Sequence, residues 1–369
     1  MTHTIALTSH FLRSILYLGD DLLIVDQYAQ SVRVVRGGTG NIELVVSAAT
    51  PLAAVNFSAH SLAVNTRLSA PRGVVRGNGA DATALFVVDS NALVIIRLSA
   101  DGYVSLVAGS GKICADTTAK CGDDGPASAA LLNFPTGIAI RANGDIVWSD
   151  TGSHRVRTVL RGPNIVTTIA GTGEQSYYSL PGTLATATAT NRPLGIAVDP
   201  ATDEVLFGDE NSILWRICGT HCATGMPGTL AIVAGIPGSG GVFTPGLYNT
   251  PLNGDISIGV PAFMAVSSKG ILYFPDQYWS IIYAVNLTSS GVGNAGSITQ
   301  FAGTEWSGKR PFYTTGPVAR YADIGDGRPA LNATFNLCFG VAVDDVTGSV
   351  FISDFYDQLV SGEQGASLV

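Results

Sequence analysis

The feature that most constrains this chain is a short, β-branched apolar segment that ends in aspartate and recurs along the whole sequence. Its copies lie roughly 60 to 78 residues apart. One of them is DIVWSDT around Asp150. The six terminal aspartates are Asp26, Asp89, Asp150, Asp209, Asp276 and Asp354.

Three other classes of short segment surround this one in a fixed order. A class rich in small residues precedes it, as in TGIAIR at 136–141, and a third class follows, as in HRVRTVL from His154. The fourth class mostly ends in Ala-Gly, as in VTTIAG from Val166. Gly, Pro, Asp or Asn bounds almost every segment, which is typical of strands and not of helices.

Four strands per repeat and six repeats predict an all-β fold, a six-bladed β-propeller of four-stranded antiparallel blades in one domain, 1–369. The last repeat lacks a fourth strand, and residues 3–9 have the composition of one. We therefore expect the N-terminal strand to complete the last blade. The alternative is that this blade accepts a strand from another molecule. The blades are expected at about 11–48, 72–109, 136–171, 194–235, 263–303 and 339–369 plus 3–9.

The composition excludes several classes of function. The net charge is −8, and only 13% of the residues are charged. Nucleic-acid binders show a basic face instead, so we expect no nucleic-acid partner. No run of 18 apolar residues occurs, so we expect no membrane insertion.

Five cysteines and three glycosylation sequons indicate the compartment. Cys114 with Cys121, and Cys218 with Cys222, are close pairs in loop-like sequence that suit short disulfides. The alternative is four surface thiols, while Cys338 is expected to be a buried thiol within a strand. With few lysines, these features favour an extracellular or cell-surface glycoprotein. The candidate glycosylation sites are Asn56, Asn286 and Asn332.

At the residues LNFPTGIA (132–139) and NGDIVWSDTGSHRVR (143–157) the chain resembles the NHL-repeat propeller family. The loops at 122–133 and 325–336 also resemble loops that are common in that family. The resemblance implies the propeller fold. It does not imply one function, because such propellers serve as binding platforms, sensor domains, lyases and lactonases.

The recurrence of the terminal aspartates predicts a structural role, in which each carboxylate accepts backbone N–H groups of the following turn. In three repeats an arginine follows seven residues later, which predicts an ion pair across the hairpin. These pairs are Asp26 with Arg33, Asp150 with Arg157, and Asp209 with Arg216.

Signals for catalysis are few. The inner-strand segments contain no histidine and offer mainly Gly, Ala, Val, Ile and Arg, so we assign no catalytic residue and no cofactor. Acidic loops give a weak Ca²⁺ hypothesis, against the simpler interpretation of Asp in Gly-rich turns. The weak Ca²⁺ candidates are Asp123, Asp124, Asp323 and Asp326.

The leading functional hypothesis is a non-enzymatic extracellular propeller that acts as a protein-interaction or structural module. It is expected to contact protein partners through its long inter-blade loops, or to assemble with copies of itself into a larger surface or fibrous structure. The alternatives are a lactonase-like hydrolase or lyase with an axial metal, and the sensor domain of a larger receptor. Aromatic residues in the loops are the candidate anchors, namely Tyr177, Tyr178, Phe243, Tyr248, Trp306, Phe312 and Tyr313.

Overall fold

The fold is all β. The computed structural model describes residues 3–6, 12–46, 61–63, 66–177, 179, 181–220, 222, 226–236, 250–251, 257–288, 297–303, 329–335, 337–355 and 359–363. Of the residues predicted to form the N-terminal strand, 3–6 do form a strand, whereas 7–9 lie outside the described ranges.

Short strands make up almost all of the regular structure. In the first half of the chain they are β1 (His3–Ala6), β2 (Leu12–Leu18), β3 (Asp21–Asp26), β4 (Ser31–Val35), β5 (Ile42–Val46), β6 (Ser61–Leu62), β7 (Pro71–Arg76), β8 (Leu85–Asp89), β9 (Val94–Leu98), β10 (Tyr103–Ala108), β11 (Ile138–Ile140), β12 (Ile146–Asp150), β13 (Arg155–Leu160) and β14 (Ile165–Ala170). In the second half they are β15 (Ile196–Val198), β16 (Val205–Asp209), β17 (Ile213–Ile217), β18 (Leu230–Ala234), β19 (Thr250–Pro251), β20 (Ala265–Val266), β21 (Ile271–Asp276), β22 (Ile281–Asn286), β23 (Ser297–Ala302), β24 (Cys338–Val343), β25 (Val350–Asp354) and β26 (Leu359–Glu363).

The described strands form six antiparallel sheets, each built on a four-stranded meander. Five of them use four consecutive strands: sheet 1 is β2–β5, sheet 2 is β7–β10, sheet 3 is β11–β14, sheet 4 is β15–β18 and sheet 5 is β20–β23. Sheet 6 joins the C-terminal strands β24, β25 and β26 to the N-terminal strand β1. The chain is therefore a β-propeller of four-stranded antiparallel blades.

Two sheets carry a fifth strand that the sequence pattern does not reveal. Strand β6 pairs with β10 at the outer edge of sheet 2, and β19 pairs with β23 at the outer edge of sheet 5. Each added strand is two residues long. A segment this short has no alternation of apolar and polar residues that a pattern search recognises.

The hydrophobic core lies between neighbouring sheets rather than at the centre of a single one. Trp148 of sheet 3 packs in a cluster with Phe86 of sheet 2, and Trp215 of sheet 4 packs in a cluster with Val147 of sheet 3. The same arrangement continues around the molecule, since further clusters join sheets 1 and 2, sheets 4 and 5, sheets 5 and 6, and sheets 6 and 1. Burial of apolar faces against neighbouring sheets is what stabilises a propeller blade, which cannot bury both faces alone.

Helical structure in the described ranges is limited to single 3₁₀ turns of three residues. Within those ranges no helix has the length and apolar character needed to cross a membrane. The 3₁₀ turns are Gly79–Asp81, Ala127–Ala129, Thr151–Ser153, Ala185–Ala187 and Ala330–Asn332.

Candidate functional site

A channel of about 250 Å³ runs between the innermost strands of the six sheets. Each sheet contributes a short stretch of its inner strand, for example Ser14–Tyr17 from sheet 1 and Gly73–Val75 from sheet 2. The other lining segments are Ile138–Ile140, Ile196–Val198, Phe263–Val266 and Val341–Val343. The channel is the place where propellers commonly hold ligands, so its chemistry decides which functions are open to the protein.

The described lining of the channel is almost wholly apolar. Ser14 and Tyr17 supply its only side-chain oxygens, and the other lining residues are aliphatic, aromatic, Gly or Met. Burial raises the pKa of Tyr17, and the neighbouring carboxylate of Asp344 raises it further. Two neutral hydroxyls do not fit a divalent cation, which prefers carboxylate, carbonyl or imidazole ligands. The lactonase-like axial metal therefore has no donor set among these residues.

The sheets meet at the channel through unusually close backbone contacts. A β-carbon added at Gly73 would lie 2.6 Å from the carbonyl oxygen of Thr136 on the next sheet. A β-carbon added at Gly340 would lie 2.9 Å from the carbonyl oxygen of Arg13. Only glycine permits such an approach, which explains the small residues that mark the inner-strand class of segments.

Four of the six terminal aspartates, Asp26, Asp89, Asp209 and Asp276, accept backbone N–H groups of the following turn as the sequence predicts, and some of them bind more than that turn. Asp89 accepts the backbone N–H of Ala92 in that turn at 3.2 Å, and also those of Ser69 and Ala70 before the inner strand. Asp276 likewise accepts the N–H groups of Tyr278, Trp279 and Gly259. Each of these two carboxylates thus fastens the turn to the entry of its own blade. Asp26 accepts the N–H of Ala29 at 2.8 Å, and Asp354 is also buried.

Asp209 and Asp276 form no salt bridge with any described residue, and burial dominates their pKa values. Burial raises the pKa of Asp209 to about 7, although the indole N–H of Trp215 and the N–H of Asn211 favour the ionised form. Burial also raises the pKa of Asp276 to about 7 against the hydrogen bonds of three backbone N–H groups. A raised pKa in a buried turn is a stability feature here, because neither carboxylate is among the residues that line the channel.

The three predicted hairpin ion pairs have different outcomes. Asp150 and Arg157 form a fully buried pair at 3.1 Å, whereas Arg33 Nη2 lies 4.0 Å from Asp26 Oδ2. The pair of Asp209 with Arg216 was wrongly predicted. Trp215 donates its indole N–H to Asp209 at 3.2 Å instead, and Arg216 pairs with Glu204 at 3.4 Å.

The two acidic residues of the first loop, which are weak Ca²⁺ candidates, each form an ion pair with a basic residue of the protein. Asp123 pairs with Arg157 at 2.6 Å and also accepts the hydroxyl of Thr168. Asp124 pairs with Lys120 at 2.7 Å. Arg157 and Lys120 therefore neutralise these two carboxylates. The described residues contain no group of three metal-ligating side chains. Asp323 and Asp326 lie outside the described residues.

Both predicted cysteine pairs form disulfides. Cys114 and Cys121 have their Cα atoms 5.6 Å apart, and Cys218 and Cys222 have theirs 5.2 Å apart. Each disulfide closes a short loop within one connection. Cys338 is fully buried in β24 and belongs to neither disulfide.

The three sequons lie in different settings. Asn332 is exposed in a 3₁₀ turn, and the side-chain oxygen of Asn286 accepts hydrogen bonds from the backbone N–H and hydroxyl of Thr288. Asn56 lies outside the described ranges. Glycosylation stays a prediction for all three.

Of the aromatic residues predicted as anchors, only Tyr177 lies in a described range, and 63% of its surface is exposed. Tyr178, Phe243, Tyr248, Trp306, Phe312 and Tyr313 fall outside those ranges. The sequence analysis does not predict four other exposed aromatic residues, Tyr28, Tyr103, Phe134 and Tyr278. Tyr28 and Tyr278 occupy short turns and Tyr103 a strand, whereas the predicted anchors all lie in long loops; Phe134 lies within the segment 132–139 that carries the family resemblance.

The four exposed aromatics that lie in turns and connections share one face of the propeller. Tyr28 and Tyr278 lie in turns between the second and third strands of their sheets, while Phe134 and Tyr177 lie in connections that lead to an inner strand. In an antiparallel meander both kinds of connection lie at the same end of the strands. We call this end the loop face.

Basic residues surround the mouth of the channel on the loop face. Arg13 and Arg72 each precede a residue that lines the channel, and they occupy equivalent positions on sheets 1 and 2. The guanidinium of Arg13 lies 4.2 Å from the ring centre of Phe339. Arg192 pairs with Glu210 at 2.8 Å, and its backbone N–H donates to His154 Nδ1. Burial lowers the pKa of His154, and the charge of Arg192 lowers it further.

Comparison with solved structures agrees with this fold. A Bacteroides thetaiotaomicron protein of unknown function superposes with a TM-score of 0.59 at 13% identity, covering 99% of this chain and 76% of that one. Streptogramin B lyase superposes with a TM-score of 0.53 at 14% identity, covering 99% of this chain and 98% of that one. A gluconolactonase from Xanthomonas campestris superposes with a TM-score of 0.55 at 10% identity, covering 99% of this chain and 89% of that one. Identities this low indicate the fold alone.

The sequence also matches a family description directly. The model of the teneurin NHL domain matches residues 81–308, which is more than half of the 369 residues. This match includes the segments at 132–157 that carry the NHL resemblance. The chain therefore belongs to the NHL propeller family, in the group described by the teneurin NHL domain.

Proposed function

We propose that this protein is a non-enzymatic extracellular propeller that binds other proteins through its loop face. The observation that carries the proposal is the concentration of exposed aromatic side chains on that face. Tyr28 is 65% exposed, Tyr278 48% and Phe134 43%. Aromatic side chains supply much of the binding energy in protein interfaces.

The low charge of the chain supports the same function. Charged residues make up only 13% of the sequence, so few ions must lose their water when this surface is covered. The two disulfides are compatible with a secreted protein. The partner is either a different protein or a second copy of this chain.

The hydrolase or lyase alternative has weaker support. Two relatives of similar fold are a lyase and a gluconolactonase. The channel of this chain, however, offers only the hydroxyls of Ser14 and Tyr17 among its described lining side chains. Ser14 is not placed beside a general base among those residues, as nucleophilic catalysis requires. The hydroxyl of Tyr17 hydrogen-bonds to Asp344, which is not itself among the lining residues.

Surface plasmon resonance with a panel of secreted ectodomains, and with a second copy of the chain, tests the proposal. We expect the double variant Tyr28→Ser/Tyr278→Ser to weaken binding at least tenfold. Tyr103→Ser is the matched control, because Tyr103 is exposed on strand β10 rather than on the loop face. Equal binding by both variants would contradict the proposal. So would stoichiometric Zn²⁺ or Ca²⁺ that survives dialysis together with lactone hydrolysis.

We also propose that the six sheets form one closed six-bladed ring, which residues 3–9 complete as the outer strand of the last blade. The pairing of β1 with β26, with Thr4 opposite Ser361, supports this closure. So does the cluster that joins sheets 6 and 1 around Leu12, Ile24 and Val360. A closed ring removes two exposed sheet edges.

Deletion of residues 1–9 tests the closure. We expect a lower melting temperature, and recovery when a synthetic peptide of residues 1–9 is added. An unchanged melting temperature would refute the closure. A deleted chain that dimerises without the peptide would favour the alternative in which the last blade accepts a strand from another molecule.

A further inference from the structure

Arg72 differs from the other basic residues at the channel mouth because no side chain in the described part of the protein binds its guanidinium. Its Nε atom is buried and has no hydrogen-bond partner. Its equivalent on sheet 1, Arg13, donates to Gln27 and lies over the rings of Phe339 and Phe355. A guanidinium removed from water without a partner is costly, and a ligand that supplies the missing acceptor recovers that cost.

The surroundings of Arg72 add positive charge. Burial lowers the pKa of Arg72, and repulsion from Arg192 lowers it further. Arg72 lies in the inner strand of sheet 2, and Arg192 lies in the connection that leads to the inner strand of sheet 4, so both are at the loop-face end of the inner strands. The mouth therefore has a positive potential that a bound anion would reduce.

The charge count indicates what kind of anion fits. Arg192 already pairs with Glu210 at 2.8 Å, and Arg13 lies over two aromatic rings, which leaves Arg72 as the guanidinium of this group with neither a carboxylate nor a ring against it among the described residues. His154 adds little charge at pH 7, since burial and Arg192 both lower its pKa. One positive charge matches a monovalent carboxylate better than a divalent phosphate, and a guanidinium binds a carboxylate through two parallel hydrogen bonds.

The channel, which is lined by the residue that follows Arg72, indicates which chemical group carries the carboxylate. Gly73, the next residue, lines a channel of about 250 Å³ together with Ile138, Ile196 and Phe263. A space of this size and composition accepts a small aliphatic group. We propose that the channel mouth binds a carboxylate carried on a short branched aliphatic group, with the carboxylate on Arg72 and the aliphatic group in the channel.

Calorimetric titration with 4-methylpentanoate tests this site. We expect binding of 4-methylpentanoate to weaken at least tenfold for its uncharged amide and for the Arg72→Gln variant. Arg76→Gln is the matched control, because Arg76 ends the same strand at the opposite end of the channel and is exposed. Equal binding of the acid and the amide, or unchanged binding by Arg72→Gln, would overturn the proposal.

Two sources of such a carboxylate can be separated. Acetyl-Gly-Gly-Leu presents the same two groups as the end of a protein chain, and its C-terminal amide removes the charge. Tighter binding of the peptide than of 4-methylpentanoate identifies a protein C-terminus as the source, and the reverse identifies a free small acid; binding of neither refutes the site.

Thermal melting gives a second readout that does not depend on the titration. Removal of an uncompensated buried charge is expected to leave the melting temperature of Arg72→Gln equal to or above that of the wild type. Saturating 4-methylpentanoate is expected to raise the melting temperature of the wild type but not of Arg72→Gln. An equal rise in both proteins would contradict the site. The site goes beyond the proposed protein docking, and loss of binding by the Tyr28→Ser/Tyr278→Ser variant leaves these results unaffected.

Discussion

Arg157 donates from Nη1 to Asp150 Oδ2 at 3.1 Å, and neither side chain reaches solvent. The same guanidinium also pairs with Asp123 at 2.6 Å and donates to the backbone carbonyls of Cys121 and Leu131. Burial raises the pKa of Asp150, while the charge of Arg157 opposes the rise. One side chain thus ties the long loop at 110–135 to the hairpin of its own sheet.

We predict that Arg157→Gln lowers the free energy of unfolding by about 3–5 kcal/mol, because it leaves Asp150 buried without its cation. Arg33→Gln is the control, since Arg33 lies 4.0 Å from Asp26 and is 28% exposed. For this partly exposed pair the expected change is only about 0–1 kcal/mol. Chemical denaturation measures both values. Losses of similar size would show that burial does not set the strength of these pairs.

Gly73→Ala tests the close contact between sheets 2 and 3. The added methyl group would lie 2.6 Å from the carbonyl oxygen of Thr136, so one strand must move. We expect a loss of about 1–3 kcal/mol in the free energy of unfolding. Gly162→Ala is the control, because an added β-carbon there meets no atom within 4 Å. Equal stability of the two variants in thermal and chemical melts would argue against the contact.

The stability of the protein is expected to fall as the pH rises from about 4 to about 7. Burial raises the pKa of both Asp209 and Asp276 to about 7, above the ordinary value of 3.8. Between these two pH values the folded protein holds protons that the unfolded chain releases. Each group therefore lowers stability by up to about 1.4 kcal/mol per pH unit across this window.

Asp276→Asn isolates one of these two contributions. The amide resembles the protonated carboxyl, so we expect near wild-type stability at pH 4–5 and a shallower fall toward pH 7. Unfolding free energies measured at half-unit intervals of pH give the slope. A slope identical to that of the wild type would show that Asp276 is ionised throughout the range.

Removal of the first disulfide is expected to loosen the loop that Arg157 holds. The bond joins residues separated by seven positions, and the carbonyl of Cys121 accepts a hydrogen bond from Arg157. Cys114→Ala/Cys121→Ala should cost about 2–3 kcal/mol and speed amide hydrogen exchange across 110–135. The comparison is Cys218→Ala/Cys222→Ala, which should leave exchange in that loop unchanged. Unchanged exchange in both variants would refute this coupling.

Sequence reasoning predicts the strands well because each one is a compact run of β-branched residues between turn formers. The terminal aspartates were equally readable, since their turn contacts are local, as with Asp276 and the N–H groups of Tyr278 and Trp279. The buried pair of Asp150 with Arg157 followed from the spacing of two paired strands. Local geometry is common to all of these predictions.

The contacts that the sequence did not predict involve side chains that are distant in the sequence, or side chains that compete for the same carboxylate. Spacing assigned Arg216 to Asp209, but the indole N–H of Trp215 reaches that carboxylate and Glu204 binds the arginine. The sequence also does not reveal that Arg157 reaches Asp123, a weak Ca²⁺ candidate, from 34 residues away. The lack of a hydrogen-bond partner for Arg72 Nε depends on the side chains that different sheets bring to the channel mouth. No single segment of the sequence encodes that arrangement.

Phe263 makes the channel asymmetric around its axis. It lines the channel and donates its backbone N–H to the carbonyl of Phe339, while Gly73 and Gly340 stand at the matching positions on sheets 2 and 6. Because one of these three matching positions carries a large ring and the other two carry glycine, the opening is asymmetric. A molecule that enters along the axis therefore meets Phe263 on one side, which favours one rotational orientation about that axis.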